Sequence, residues 1–349
     1  MSLPNGGDRL ILEHRPLRLA LRHPWTIARG TSLDKTNVLV RLRGPDGVAG
    51  LGEAAPNARY GEDAATVAAA LDRIASRLPT DPSAGGNACL DDLQAMGPAD
   101  PAARAALDIA VHDREGWRAG VSVGRLLGAP AGPLPPTSMS IGHDTIAVMQ
   151  EKARASSSFP FLKIKLGVGD DRRIVEAIRA VAAQPLLVDA NEAWRDADEA
   201  IEMIRWLEGM GVLLVEQPCP AADHDLARVV RRRATLPIFA DEAVRTAADV
   251  PGLREAYDGI NVKVQKAGGL RPALRTIEAA RAAGLQVMIG CMVETSLGIT
   301  AAAHLAPLCD RADLDGALLL ADDPFRGAVI EDGRIALPPG PGLGVTGFY

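Results

Sequence analysis

The sequence predicts an α/β protein: a (β/α)8-type (TIM) barrel preceded by an α+β unit, with a C-terminal segment returning to that unit. Three observations carry this. Short β-like runs alternate with helical stretches from Thr137 onward, and such alternation implies a parallel sheet. The units number about eight, as a barrel requires. Ahead of them the order changes: strands come first and helices follow, which marks an α+β unit.

Taken in order, Leu10–Leu21 and Asn37–Leu42 alternate in polarity and are rich in β-formers. Gly44-Pro45-Asp46-Gly47 is a turn, and Val48–Glu53 returns as a further strand. Glu62–Leu78 and Ala102–Gly120 are alanine-rich helical stretches. Pro133-Leu134-Pro135-Pro136 reads as the linker, so residues 1–132 form the first unit. The barrel then spans 133–320, and 321–349 is a tail that packs back on the first unit. Seven barrel runs are Thr137–Ile141, Phe161–Lys165, Leu186–Asp189, Leu213–Glu216, Ile238–Asp241, Gly259–Lys263 and Leu285–Ile289. An eighth is expected near Asp310–Asp313, where the pattern is weakest. The intervening helices include Asp170–Ala183, Asp196–Met210, His224–Arg233 and Leu270–Ala283.

Composition narrows the function. The chain has 349 residues, 47% of them hydrophobic, and a net charge of -6, so it carries no basic footprint for nucleic acid. Cys89, Cys219, Cys291 and Cys309 are too scattered for a disulfide framework or a zinc site. No apolar signal segment opens the chain, and Leu285–Leu308 is interrupted by Gln286, Glu294, Thr295 and Ser296. The expectation is a cytoplasmic protein acting on a small molecule, without nucleic acid or membrane as partner; a homo-oligomer is left open.

The chemistry lies at the strand ends. Lys163 and Lys165 share one face of a buried run, because side chains two apart on a strand point the same way. Lys165, Asp189, Glu216, Asp241 and Lys263 then follow at intervals of 24, 27, 25 and 22 residues, about one βα unit each. Side chains so placed converge on the C-terminal mouth of one barrel. Asp189, Glu216 and Asp241 supply three hard oxygen ligands, suited to one Mg²⁺. Lysines flank them on both sides, and a lysine beside a divalent cation and another lysine is expected to have a lowered pKa. Two such bases suit removal of a proton from one face of a carbon and its return on the other, through an enediolate. Alone, a Lys-x-Lys pair is ordinarily a solvated edge, and an Asp at a strand end is ordinarily a helix N-cap. Neither accounts for five strand ends in order.

These residues resemble the enolase superfamily, in its muconate-lactonizing-enzyme subgroup. Gly50-Leu51-Gly52-Glu53-Ala54 looks like the family's capping-domain strand, and Lys163-Ile164-Lys165 like its first lysine pair. Val188-Asp189-Ala190-Asn191, Val215-Glu216-Gln217-Pro218 and Ala240-Asp241-Glu242 look like its three metal-ligand motifs. Asn261-Val262-Lys263-Val264 with Gly268-Gly269 looks like its second lysine strand, and Pro341-Gly342-Leu343-Gly344 like its C-terminal signature. The resemblance implies an α+β capping domain over the barrel. It implies Lys165 and Lys263 as the two bases, with Lys163 supporting Lys165. Asp189, Glu216 and Asp241 become the Mg²⁺ ligands, Glu242 and Lys266 lie behind them, and Asn191 orients a ligand or contacts substrate.

Within the subgroup, Ala312-Asp313-Leu314-Asp315-Gly316 resembles the D-x-D element with which dipeptide epimerases hold a substrate ammonium, and Gly290-Cys291-Met292 also looks like that subfamily. Two aspartates there would attract a cation and repel an N-acylated substrate. The resemblance therefore implies an isomerase, a dipeptide epimerase with L-Ala-D/L-Glu as default substrate. The alternatives on the same scaffold are an N-acylamino acid racemase, an o-succinylbenzoate synthase or a muconate-type cycloisomerase; a catalytically silent binding protein is the reading from another class. His304 lies within a helical stretch and reads as packed rather than as the histidine base of sugar-acid dehydratases. Two loops should close over the substrate: Arg22–Thr36, with Arg29, and Ala58–Asp63, with Arg59 and Tyr60. Ser32 falls near the position where Ala-Glu-specific members carry an arginine.

Overall fold

The computed structural model describes residues 9–27, 30–78, 89–91, 93 and 99–347. The first unit is an antiparallel sheet of β1 (Ile11–Ile27), β2 (Gly30–Arg43) and β3 (Ala49–Ala54), in that order. Helix α1 (Ala64–Ala75) and the long α2 (Pro101–Ala119) cover it. Val38, Val40 and Leu42, alternating on β2, face Ala103, Ala106, Leu107 and Ala110 of α2 in one buried cluster. Gly50 and Gly52 show why the capping strand needs glycine. A Cβ at either would meet Ala110 O at 2.0 Å or Ala106 O at 1.9 Å, so the helix backbone lies directly on the strand.

The segment expected as a first loop is mostly strand. β1 runs on to Ile27, with an irregularity between Ala20 and Trp25, and the ladder continues through Trp25↔Ser32, Thr26↔Thr31 and Ile27↔Gly30. A hairpin holds this stretch, paired up to Ala20↔Asp34 and again from Trp25↔Ser32. Ala28 and Arg29 lie outside the described residues. The second loop is a single turn of 3-10 helix, Ala58–Tyr60, whose N-cap Asn57 accepts from Arg59 N.

The second unit is an eight-stranded parallel sheet in sequential order: β4 (Met139–Ile141), β5 (Leu162–Lys165), β6 (Leu186–Asp189), β7 (Val212–Glu216), β8 (Ile238–Ala240), β9 (Gly259–Lys263), β10 (Gln286–Gly290) and β11 (Arg311–Asp313). A parallel bridge, Thr137↔Ala312, joins its two edges. The barrel is therefore closed, and the eighth strand forms where the sequence pattern was weakest. Helices intervene, among them Asp171–Arg179, Ala197–Gly209, His224–Arg233 and Leu270–Ala282. Leu187, Leu214, Phe239 and Met288 form a separate apolar layer inside the barrel, with Phe161 against them.

The two units are locked through buried polar groups. Glu53, fully buried on β3, accepts from Asn37 Nδ2 at 2.6 Å, Thr295 Oγ1 at 2.5 Å and Gly298 N at 3.1 Å. Gln265 donates to Glu53 O and accepts from Ala55 N. A buried carboxylate is tolerable only when its lone pairs are filled in this way. The tail returns to α2: Leu343 N donates to Asp113 Oδ1 at 2.7 Å. Among the described residues no helix is long and apolar enough to cross a membrane, and all four cysteines are free.

Candidate active site

Register gathers the charged residues. Lys165 pairs with Asp189 across β5 and β6, and Asp189 with Glu216 across β6 and β7. On the other wall Gly290 pairs with both Lys263 and Asp313. In a closed sheet of eight, strands four places apart face each other. β5 and β9, bearing Lys165 and Lys263, are one such pair; β7 and β11, bearing Glu216 and Asp313, are another. The mouth thus has two crossed axes, one of lysines and one of carboxylates.

Distances fill in this plan. Lys165 Nζ donates to Asp189 Oδ2 at 2.6 Å, and Lys263 Nζ to Asp241 Oδ2 at 2.8 Å. Lys266 projects from the single helical turn Val264–Ala267 and reaches Asp241 Oδ1 at 2.5 Å and Asp241 O at 2.6 Å. Lys163 is wholly buried and spans the carboxylate axis. Its Nζ lies 2.6 Å from both Asp313 Oδ2 and Glu216 Oε2, and 3.6 Å from Asp189 Oδ2. It touches Lys165 only through the shared Asp189 oxygen. Its place is beneath the cavity rather than on its wall.

Asp189, Glu216 and Asp241 offer oxygens that lie within 4.8 Å of one another, all buried. Glu216 Oε1 accepts from Asn261 Nδ2 at 2.9 Å. Glu216 Oε2, although near Lys163, makes no hydrogen bond, and neither does the buried Asn191 Oδ1. A compact all-oxygen cluster with under-used lone pairs fits a hard divalent cation, and Mg²⁺ in particular. No histidine or thiolate joins the cluster, so zinc does not fit it. Glu242 is buried close by but is not one of the clustered ligands.

Burial opposes the charge of Lys263, but Asp241 and Glu216 outweigh it and raise its pKa. Lys163 behaves likewise between Asp313, Glu216 and Asp189. Lys266 is lowered, by burial and despite Asp241. Among the acids, burial is overcome in Asp189 by Lys165 and Lys163, and in Asp241 by Lys263 and Lys266, so both sit below the usual carboxylate range. Burial prevails in Glu216, pushed up to about 7. Lys163 and Lys263 serve as counter-ions to these carboxylates, and this is why their pKa moves upward.

A cavity of about 450 Å³ opens above this layer. Lys165, Asn191, Asp241, Lys263, Cys291, Met292, Asp313 and Asp315 line it from the barrel, and Trp25, Ser32, Lys35, Asn57 and Arg59 from the cap. Asp313 Oδ1 accepts from Ser138 Oγ at 2.8 Å, and Asp315 Oδ2 from Ser140 N at 2.6 Å. Burial, and then Asp313, push the Asp315 carboxyl up to about 6. Tyr60 does not line the cavity. Its ring stacks under the Arg245 guanidinium, 5.0 Å away, and its neighbour Arg59 faces inward instead, paired with Glu192.

Several contributing residues were not anticipated. Asn261 holds Glu216, and it lies two residues before Lys263, the same spacing that singled out Lys163 and Lys165. Gln217 Oε1 accepts from Asp241 N and Ala243 N, fixing the strand end that carries Asp241. Asn191, Glu192 and Gln217 have φ values of 46°, 70° and 37°, a left-handed conformation unfavourable for these residues and found where a site demands it. Glu294 accepts from Met292 N and holds that loop. Nothing local in the sequence marks Ser138, Ser140 or Lys35.

Residues 13–128 match the mandelate racemase / muconate lactonizing enzyme N-terminal domain, and residues 147–347 the enolase C-terminal domain-like family. The L-Ala-D/L-Glu epimerase of Bacteroides thetaiotaomicron is 37% identical over 340 residues, covering 97% of this chain and 88% of that one. The L-Ala-D/L-Glu epimerase of Bacillus subtilis, solved as a substrate-liganded complex, aligns with a TM-score of 0.92 at 32% identity, over 98% of this chain and 99% of that one. The dipeptide epimerase of Enterococcus faecalis V583, solved with Mg and the dipeptide L-Leu-L-Tyr, aligns with a TM-score of 0.89 at 31% identity, over 97% and 99%.

Proposed function

The chain belongs to the mandelate racemase / muconate lactonizing enzyme family, and on that premise we propose that it is a Mg²⁺-dependent dipeptide epimerase. It inverts the α-carbon of the dipeptide's C-terminal residue by proton transfer between two lysines. A fold hosts many chemistries, so the argument rests on the site. The observation that carries it is the pair of crossed axes. Two lysines face each other across β5 and β9, and a carboxylate cluster faces an aspartate pair across β7 and β11.

The substrate's two charged ends align with the second axis. Its carboxylate goes to the side of Asp189, Glu216 and Asp241, which would hold Mg²⁺. Its ammonium goes to Asp313 and Asp315, an attraction strengthened by burial. Mg²⁺, when bound, supplies positive charge beside the substrate carboxylate and so acidifies the neighbouring C–H. The α-carbon then lies on the lysine axis. One lysine, neutral, takes the α-proton from one face; the other, as the ammonium, returns a proton to the opposite face. The arrangement is symmetric, so either stereoisomer can be the substrate. Lys163 stays charged beneath the cavity and offsets Glu216 and Asp313. Lys266 holds Asp241 from behind. The free thiols support a reducing, cytoplasmic setting.

The relatives act on different dipeptides, so the default L-Ala-L-Glu is one candidate among several. The test is a library of L,L-dipeptides in D₂O, read by mass gain at the α-carbon. Exchange should need Mg²⁺, stop on chelation and return when the metal is restored. Full exchange in a thoroughly metal-free sample, or exchange only of N-acylated amino acids, would replace this reading with a metal-independent enzyme or an N-acylamino acid racemase.

A further inference from the structure

We propose that Lys35 selects an acidic side chain on the residue being inverted, a specificity that rests on the dipeptide-epimerase reading. Lys35 lies on β2 of the cap and lines the cavity. Its position is fixed from both sides. Asn37, on the same face of the strand two residues on, donates to Val293 O at 3.0 Å. Leu19, its cross-strand partner, packs with Val293 and Leu320. Lys35 is thereby held over the barrel mouth beside the loops that follow β10 and β11.

Among the described residues Lys35 has neither a hydrogen bond nor an ion pair. The adjacent Asp34 is engaged by Arg18, whose Nε and Nη2 donate at 2.9 and 2.6 Å. The other cations lining the cavity are paired: Arg59 with Glu192, Lys165 with Asp189, Lys263 with Asp241. Lys35 is half-buried, and burial lowers its pKa against the opposing pull of Asp34. A partly desolvated ammonium without a counter-ion is unfavourable, and an anionic ligand group would relieve it.

The substrate geometry directs such a group there. A tetrahedral α-carbon has four substituents. Its carboxylate points toward β7 and its amide nitrogen toward β11, and the hydrogen lies on the lysine axis. The side chain must leave along the barrel axis. The lower direction is filled by Lys163 and the layer of Leu187, Leu214, Phe239 and Met288. Only the direction of the cap remains, where Thr31, Ser32 and Lys35 line the cavity. A glutamate or aspartate side chain would supply the missing carboxylate, with hydroxyl donors beside it.

The test compares kcat/KM for L-Ala-L-Glu and its neutral isostere L-Ala-L-Gln in the Mg²⁺-loaded enzyme, with Lys35→Met and Lys35→Arg alongside. The wild type should favour Glu over Gln by roughly ten- to a hundred-fold, the scale of a hydrogen bond to a charged group. In Lys35→Met that ratio should collapse toward one, chiefly through a higher KM for the Glu dipeptide, and Lys35→Arg should restore most of it. A ratio is insensitive to partial loss of folded enzyme. An unchanged ratio in Lys35→Met, or a wild type that turns over Gln or Leu dipeptides as well as Glu, would overturn the role of Lys35 and leave the epimerase reading intact. A protein that exchanges no dipeptide α-proton would overturn both.

Discussion

Replacing Asp315 with Asn tests the assignment that separates dipeptide epimerases from their neighbours. Asp315 lines the cavity and is 4% exposed, and its Oδ2 is anchored by Ser140 N. Asp313, beside it, is committed to Lys163 and Ser138. Asp315 is therefore the carboxylate whose negative charge is less offset, and its loss removes a charge-assisted hydrogen bond to the substrate ammonium. Such a bond is worth roughly 1.5–3 kcal/mol, or about ten- to a hundred-fold in kcat/KM. The pH profile gives a second readout. Burial and Asp313 place the Asp315 carboxyl at about 6, and kcat/KM reports the free enzyme. Its value for a dipeptide should fall as pH drops through about 6, where Asp315 gains a proton and loses its charge, and the Asn variant should lack this acid limb. Mg²⁺ binding should persist, because the ligand strands lie across the barrel. The assay is coupled-free polarimetry or D₂O exchange on a dipeptide and its N-acetyl form, from pH 5 to 8 (an experimental range of about three units around the Asp315 value). If the Asn variant keeps wild-type kcat/KM, or the N-acetyl dipeptide reacts as well as the free one, Asp315 does not hold an ammonium.

Two further outcomes follow from the same geometry. Lys165→Ala and Lys263→Ala should each abolish two-way epimerisation, while exchange of the α-proton of a single isomer with solvent survives; a variant of either lysine that still interconverts both isomers would sink the two-base mechanism. His304 bears on stability: burial lowers its pKa to about 4, against about 6.5 when unfolded. The unfolded chain then binds the proton more readily, so this contribution is complete above about pH 6.5, is lost as pH falls toward 4, and amounts to roughly 3 kcal/mol in all. His304→Gln should flatten the dependence of Tm on pH in that window, and an unaltered slope would show that another group controls acid unfolding.

The alternation of runs from Leu162 to Gly290, and the spacing of Lys165, Asp189, Glu216, Asp241 and Lys263, could be read without a structure. Strand period and unit length are local properties, and they determine which side chains reach one end of a parallel sheet. They do not determine what faces what across it. That Lys165 opposes Lys263, and Glu216 opposes Asp313, follows from closure through Thr137 and Ala312, a contact between residues 175 positions apart. Closure also places Lys163 between Asp313 and Glu216 rather than beside Lys165 alone. The cap was least readable. Whether Arg59 or Tyr60 faces the mouth depends on the geometry of one short turn, and the stretch expected as loop beyond Leu21 is hairpin. Lys35 has no local mark at all, because it becomes significant only when the cap sheet is docked through Glu53 and Asn37 onto the barrel. Local pattern encodes the face a side chain occupies, whereas charge balance and specificity depend on distances between chain segments that only packing brings together.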